Sequence, residues 1–367
     1  MKELEWLQTR RVGCKASMCC ALALLCVLSI HSLRAAIAQV NGQDLSGLTG
    51  NQIAASCAIG LSTLGVPLFL MISGYLLLDR DYTKERTLTF FKRNLLPLVV
   101  SYEIFDLALA IVQYIGAGGV TVADYVKSAL FIGPAPMGHL WYMQAIVGAY
   151  LLVPLLALLL HAVRERGLEP YAYAVLACLF VCYSVLPSVN QIMALQGNAF
   201  RVVSALDMFG ITEPRFLFYM VFGYMVRQGF GMRTAPVAVY AGMVAALAVL
   251  CVSAAWSNLH ADGFQSGLAF TPVVLGGCML FLAVVRALRG RRIPNDLYRP
   301  VRSVAVCSYG MYVLHYPIVL FMKYAPLPVH GWALYACIMA VAFIISYAVV
   351  WLTSRYPLVA KWLFLMK

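Results

Sequence analysis

The sequence predicts an all-α polytopic membrane protein with about ten transmembrane helices and both termini on the cytoplasmic side. Three observations predict it. Of 367 residues, 62% are apolar and only 11% are charged, with a mean hydropathy of +0.83. A soluble domain carries about 25% charged residues, so this chain cannot cover itself with a polar surface. Apolar runs of roughly 20 residues, the length that crosses a bilayer, recur from end to end. Between them, Lys and Arg collect in alternate loops, as cytoplasmic loops do.

Each run follows from the residues around it. The first, about 15–36, lies after Lys2, Arg10, Arg11 and Lys15. It lacks a small-residue cleavage site, so it reads as a retained anchor rather than a signal peptide. The second, 53–78, brings the chain back to Arg80, Lys84, Arg86, Lys92 and Arg93. Runs 94–115 and 139–161 go out and return to Arg164 and Arg166. Runs 171–188 and 214–230 return to Arg227 and Arg233, and runs 236–257 and 267–288 to the stretch Arg286–Arg302. The last pair, 303–323 and 331–354, ends at Arg355, Lys361 and Lys367. Of the 27 basic residues, only Arg34, Lys127, Arg201, Arg215 and Lys323 fall on the outer side. One miscounted helix would invert every later loop, so the charge pattern supports the count independently.

Other function classes drop away. The net charge of +12 is topology and needs no nucleic-acid partner, though it leaves room for an anionic cytosolic ligand beside the membrane lipids. The 11 cysteines sit mainly in apolar runs, without CxxC pairs or His at ligand spacing, so neither a metal nor disulfides are expected. No phosphate loop, nucleophile elbow or zinc-protease motif is present, and no internal repeat is evident. Nothing divides the chain, and 1–367 reads as a single membrane-embedded domain.

Function is then expected in the polar groups that lipid should have excluded. His31 closes the run CCALALLCVLSIHSLR. Glu103 and Asp106, three residues apart in SYEIFDLALA, share one helix face. A lipid-facing carboxylate costs a few kcal/mol, so the pair must face the bundle interior. His315 lies inside the ninth run, and His139, Trp141 and Tyr142 lie at the outer mouth of the fourth. Trp141 and Tyr142 also suit an aromatic belt, His139 a wet interface, and His315 a bond to a backbone carbonyl.

The stretch VPLFLMISGYL (Val66 to Leu76), with its following basic loop, Arg93 and Pro97, resembles the signature of the acyltransferase 3 family. HLWYMQAIVGAYLLVPLL, FLFYMVFGYMVR and SYGMYVLHYPIVL resemble later blocks of that family in the same order. The nearest subgroup in character O-acetylates enterobacterial common antigen and related glycans. The resemblance implies a multi-pass acyltransferase of the bacterial cytoplasmic (inner) membrane. It would move an acetyl group from cytosolic acetyl-CoA to a hydroxyl of a surface or lipid-linked glycan. It makes His31 the general base and fixes Arg93 as a donor contact. Lys92 and Arg80 join Arg93 as cations for the coenzyme A phosphates. Ser73, Tyr75, Asp106, His139, Trp141 and His315 are expected on the substrate path. Where the family usually has Arg eleven residues before the His, this chain has Cys20; where it has Asp, this chain has Ser17. Glu103 is therefore expected to orient His31 in place of the missing partner. A non-catalytic exporter of a small metabolite on the same scaffold stays open as the alternative, and the residues name neither the acceptor nor the oligomeric state.

Overall fold

The computed structural model describes residues 2–39, 49–117, 119–195, 215–260, 267–291 and 293–366. Much of the expected outer-loop sequence, 40–48 and 196–214 with Arg201, lies outside the described residues. Every regular element described is helical. Eight helical segments are long and apolar enough to cross a membrane: 13–38, 52–77, 84–115, 138–165, 169–194, 236–257, 295–324 and 331–353. The two other apolar runs form shorter helices, Phe216–Arg227 and Thr271–Ala287.

Helix α1 (Lys2–Gln39) runs the length of the bundle and packs along α13 (Asn295–Tyr324), α3 (Gly65–Leu77) and α14 (Gly331–Thr353). The second span is broken into α2 (Thr49–Ser62) and α3. Pro67 has no N–H to offer the Thr63 carbonyl, which favours a break there. At the break, Gly65 lies so close to α1 that a Cβ would meet the Val27 side chain at 2.7 Å and the Ala23 carbonyl at 2.8 Å.

The basic segment after α3, expected as a loop, is mostly helix. Thr83 caps α4 (Lys84–Phe90) by accepting from the Arg86 N–H, as an N-cap hydroxyl does. A π turn, Phe91–Leu95, joins it to α5 (Leu96–Ala117). A second π turn, Val181–Val185, joins α8 (Glu169–Phe180) to α9 (Leu186–Leu195). In both, a proline (Pro97, Pro187) follows the turn by two residues. Its missing N–H and bulky ring disfavour the ordinary i→i−4 ladder, and the wider turn absorbs the misfit.

The outer stretch between the third and fourth runs contains α6 (Val122–Ala129), opened by a capping box between Thr121 and Asp124. Then α7 (Trp141–Glu165) turns into α8 at Gly167, whose φ of +65° suits a residue without Cβ. The remaining helices are α10 (Arg215–Arg227), α11 (Pro236–His260), α12 (Thr271–Ala287) and the terminal α15 (Pro357–Trp362).

The tightest crossing is between α3 and α10. A Cβ on Gly74 would collide with the Met220 carbonyl, and one on Gly223 with the Met71 carbonyl. Each glycine thus admits the other helix's backbone, the small-residue contact by which membrane helices approach closely. The core of fully buried side chains, including Leu24, Leu28, Leu68, Met71, Tyr219 and Phe281, surrounds this crossing.

Candidate functional site

Three histidines distant in sequence meet beside α1. His31 comes from α1, His139 from a 3₁₀ turn (Gly138–Leu140) ahead of α7, and His315 from α13. The His31 and His315 rings are 5.2 Å apart, and those of His315 and His139 are 5.9 Å apart. Tyr316 completes the cluster, edge-on to His31 at 4.9 Å and stacked on His139 at 4.6 Å.

The partners of the two buried rings assign their tautomers. A carbonyl can only accept, so His139 Nε2, 3.2 Å from the Val313 carbonyl, carries the hydrogen. His315 Nδ1 likewise donates to the Tyr312 carbonyl at 2.5 Å. That leaves His139 Nδ1 and His315 Nε2 as buried lone pairs with no partner among the described residues. The Tyr312 hydroxyl donates to the His139 backbone carbonyl and ties the turn to α13. His31 differs: it is half-buried and makes no hydrogen bond to a described residue. Three imidazoles meet, yet among the described residues no group of metal-ligating side chains is arranged to hold an ion.

A cavity of about 310 Å³ adjoins the cluster on the side of the basic segments. Arg80 and Asn94 line one end, with Cys20, Ser73, Tyr150, Ser308 and Tyr309 along the walls and Tyr142 and Tyr312 also lining it. The Tyr142 and Tyr312 rings are 5.6 Å apart, and Tyr312 is 6.0 Å from His139. Ser73 Oγ is 3.4 Å from the Tyr150 hydroxyl, and Cys20 Sγ is 3.3 Å from Ser308 Oγ. Cys20 and His31 stand eleven residues apart on one helix, about 16 Å along its axis. One end of α1 thus serves the cavity and the other the histidines.

The expected residues divide. His31, His139 and His315 come together; Ser73 and Arg80 line the cavity. Lys92 and Arg93 sit exposed on the π turn, and it is their neighbour Asn94 that faces inward. Tyr75 does not reach the cavity: its buried ring packs edge-on against Phe281 and under the Arg227 guanidinium, which also pairs with Asp79 at 3.0 Å. In the second basic segment, Arg286 and Arg289 donate to the Gly231 and Met232 carbonyls, fixing a turn. Trp141, 40% exposed, lies against Tyr142 and Phe216 rather than the histidines.

Glu103 is not brought to His31. Helix α5 packs on α6, α7 and α15, and no bond joins Glu103 to the histidines. Asp106, on the same helix, is fully buried beside the Ser128 hydroxyl, and neither of its oxygens makes a well-formed hydrogen bond among the described residues. Close by, the Tyr102 and Ser128 hydroxyls bond at 2.5 Å. The residues that sequence reasoning passed over are the tyrosines of α13. Tyr309, Tyr312 and Tyr316 recur at helical spacing around His315, a polar stripe inside an apolar span.

A family model for the acyltransferase domain matches residues 21–351, nearly the whole chain. No curated protein and no solved structure matches the chain.

Proposed function

The chain belongs to the acyltransferase 3 family and is a membrane acyltransferase, and from that premise we propose that it carries an acetyl group from acetyl-CoA to a hydroxyl of a surface or lipid-linked glycan, with His31 as general base. The observation that carries the reading is the convergence of His31, His139 and His315 next to a cavity lined at one end by Arg80 and near the cluster by Tyr312. Acetyl-CoA enters from the cytoplasm with its phosphates near Arg80 and its pantetheine arm along the hydroxyl-lined walls. The acceptor approaches from the opposite face, where His31 alone of the three rings is open.

The chemistry then follows. An imidazole nitrogen of His31 takes the proton of the acceptor hydroxyl as its oxygen attacks the thioester carbonyl carbon. The carbon–sulfur bond breaks, an ester forms, and the departing thiolate takes the proton to leave as coenzyme A. Tyr316 packs against the faces and edges of His31 and His139 and holds the ring in place. Tyr312 anchors the His139 turn. The cluster lies inside the bundle, so water competes poorly for the acyl group.

The test uses the full chain in detergent with acetyl-CoA and a glycan pool. Coenzyme A release with ester formation is expected. His31→Ala and His31→Gln should each lose about 10²–10⁴-fold, the usual contribution of general-base catalysis, while still binding acetyl-CoA. Parental turnover in either variant removes His31 from the role. Solute export without coenzyme A release would favour the exporter reading instead.

A further inference from the structure

Away from the histidines, a second pair of cavities shares a wall. A groove of about 350 Å³ runs between α7, α8 and α10 and is almost wholly hydrocarbon, with Phe180 stacked on Phe218 along it. At the α7–α8 turn it meets a chamber of about 190 Å³, the two sharing Leu160, Val163 and Leu176. This chamber is polar. Arg164, Glu169, Tyr224 and Gln228 line it.

Three features say what fits. First, Arg164 and Glu169 face one chamber without pairing with each other among the described residues, so it offers a cation and an anion side by side. Arg164 spends one N–H on Gln228 Oε1, at 2.5 Å, and Gln228 in turn donates to Asp79. The rest of the guanidinium fork is left for a phosphate. Second, the Tyr224 side chain is 6% exposed, and its hydroxyl lies beside the Arg164 guanidinium but makes no well-formed hydrogen bond to a described residue. A buried hydroxyl without such a bond is costly, and a ligand oxygen would satisfy it. Third, the groove follows α8 and the π turn after it from Ala172 to Ser184, about 18 Å of helix. That is the reach of one acyl chain across a leaflet, about half of a 30 Å hydrocarbon core.

We propose that this paired site binds one phospholipid with a phosphoethanolamine head, its phosphate on Arg164 and Tyr224, its ammonium on Glu169 and one acyl chain in the groove. A choline head lacks the N–H donors that Glu169 would accept from. A phosphatidylglycerol head offers no cation at all, and its negative charge would face the carboxylate.

Native mass spectrometry of the full chain, delipidated and offered equal phosphatidylethanolamine, phosphatidylglycerol and phosphatidylcholine of one acyl composition, tests this. Phosphatidylethanolamine should be retained about tenfold over each of the others. Glu169→Gln should bring phosphatidylglycerol level with it, and Arg164→Gln and Tyr224→Phe should each weaken retention. Equal or stronger retention of phosphatidylglycerol by the parent chain overturns the proposal, as does no retention of any lipid. So does an unchanged preference in Glu169→Gln, a substitution at a helix start that leaves the buried core intact.

Discussion

At the scale of single residues, the His cluster separates side chains by what surrounds them. His139 and His315 each spend one nitrogen on a backbone carbonyl and are buried, while His31 spends neither. The freedom of its nitrogens suits His31 to the proposed role of base, with the other two as its setting. His315→Asn should therefore keep some turnover where His31→Asn keeps none, and coenzyme A release by the two purified variants measures the difference. Glu103 and Asp106 belong to another neighbourhood. Glu103→Gln should leave the rate unchanged, because no contact links it to His31. Asp106→Asn should raise the thermal midpoint, since it keeps the side chain's shape and removes a buried acid that has no ion-pair partner among the described residues. A tenfold loss of rate in Glu103→Gln would return that carboxylate to the site. Sequence reasoning could mark His31, His139 and His315 as polar groups out of place. It could not bring positions 31, 139 and 315 together, because only tertiary packing does so. The Glu103 expectation failed to meet His31 for the same reason: a shared membrane depth is not a shared helix interface.

At the scale of elements, the crossing of α3 and α10 shows how context reverses a propensity. In a helix interior Ala is ordinarily better than Gly by about 1 kcal/mol. At Gly74 and Gly223 the added methyl would strike a backbone carbonyl of the facing helix, and overpacking of this kind costs about 1–3 kcal/mol or more. Gly74→Ala and Gly223→Ala should therefore lower the thermal midpoint. Gly148→Ala, in α7 with nothing within 4 Å of its Cβ position, should match or raise it. If all three behave alike, the crossing is looser than described. These elements were partly legible. The apolar runs correspond one for one to the helical segments, and the break before Pro67 could be read from the proline. The helix inside the expected basic loop was missed because Lys and Arg signal sidedness without forbidding helix. The Thr121–Asp124 capping box was a readable sign of α6, overlooked because short amphipathic helices leave little mark in hydropathy.

At the scale of the whole molecule, the basic segments, the cavity mouth at Arg80 and the lipid chamber at Arg164 belong to loops that the charge pattern assigns to one face. The charge pattern puts the termini on that face too, so a fluorescent protein fused after Lys367 should fluoresce, and alkaline phosphatase fused there should be inactive. The reverse pair of results would invert the molecule and place the histidines on the donor side. The length of the spans was legible because hydrocarbon thickness fixes it, and their order around α1 was not. Two of the runs form helices of 13 and 17 described residues, and α12 is buried along most of its length, a difference that hydropathy cannot see because interior and lipid are equally apolar.

Cys20 gives this chain a chemical handle. Its sulfur stands in the cavity wall beside Ser308, so a small maleimide entering from the basic face would plug the route with a covalent bond. Inactivation by such a reagent should be slowed by acetyl-CoA and abolished in Cys20→Ser, with the other ten cysteines as the built-in control. A relative with arginine at this position would lack the thiol and be untouched by such a reagent at this site.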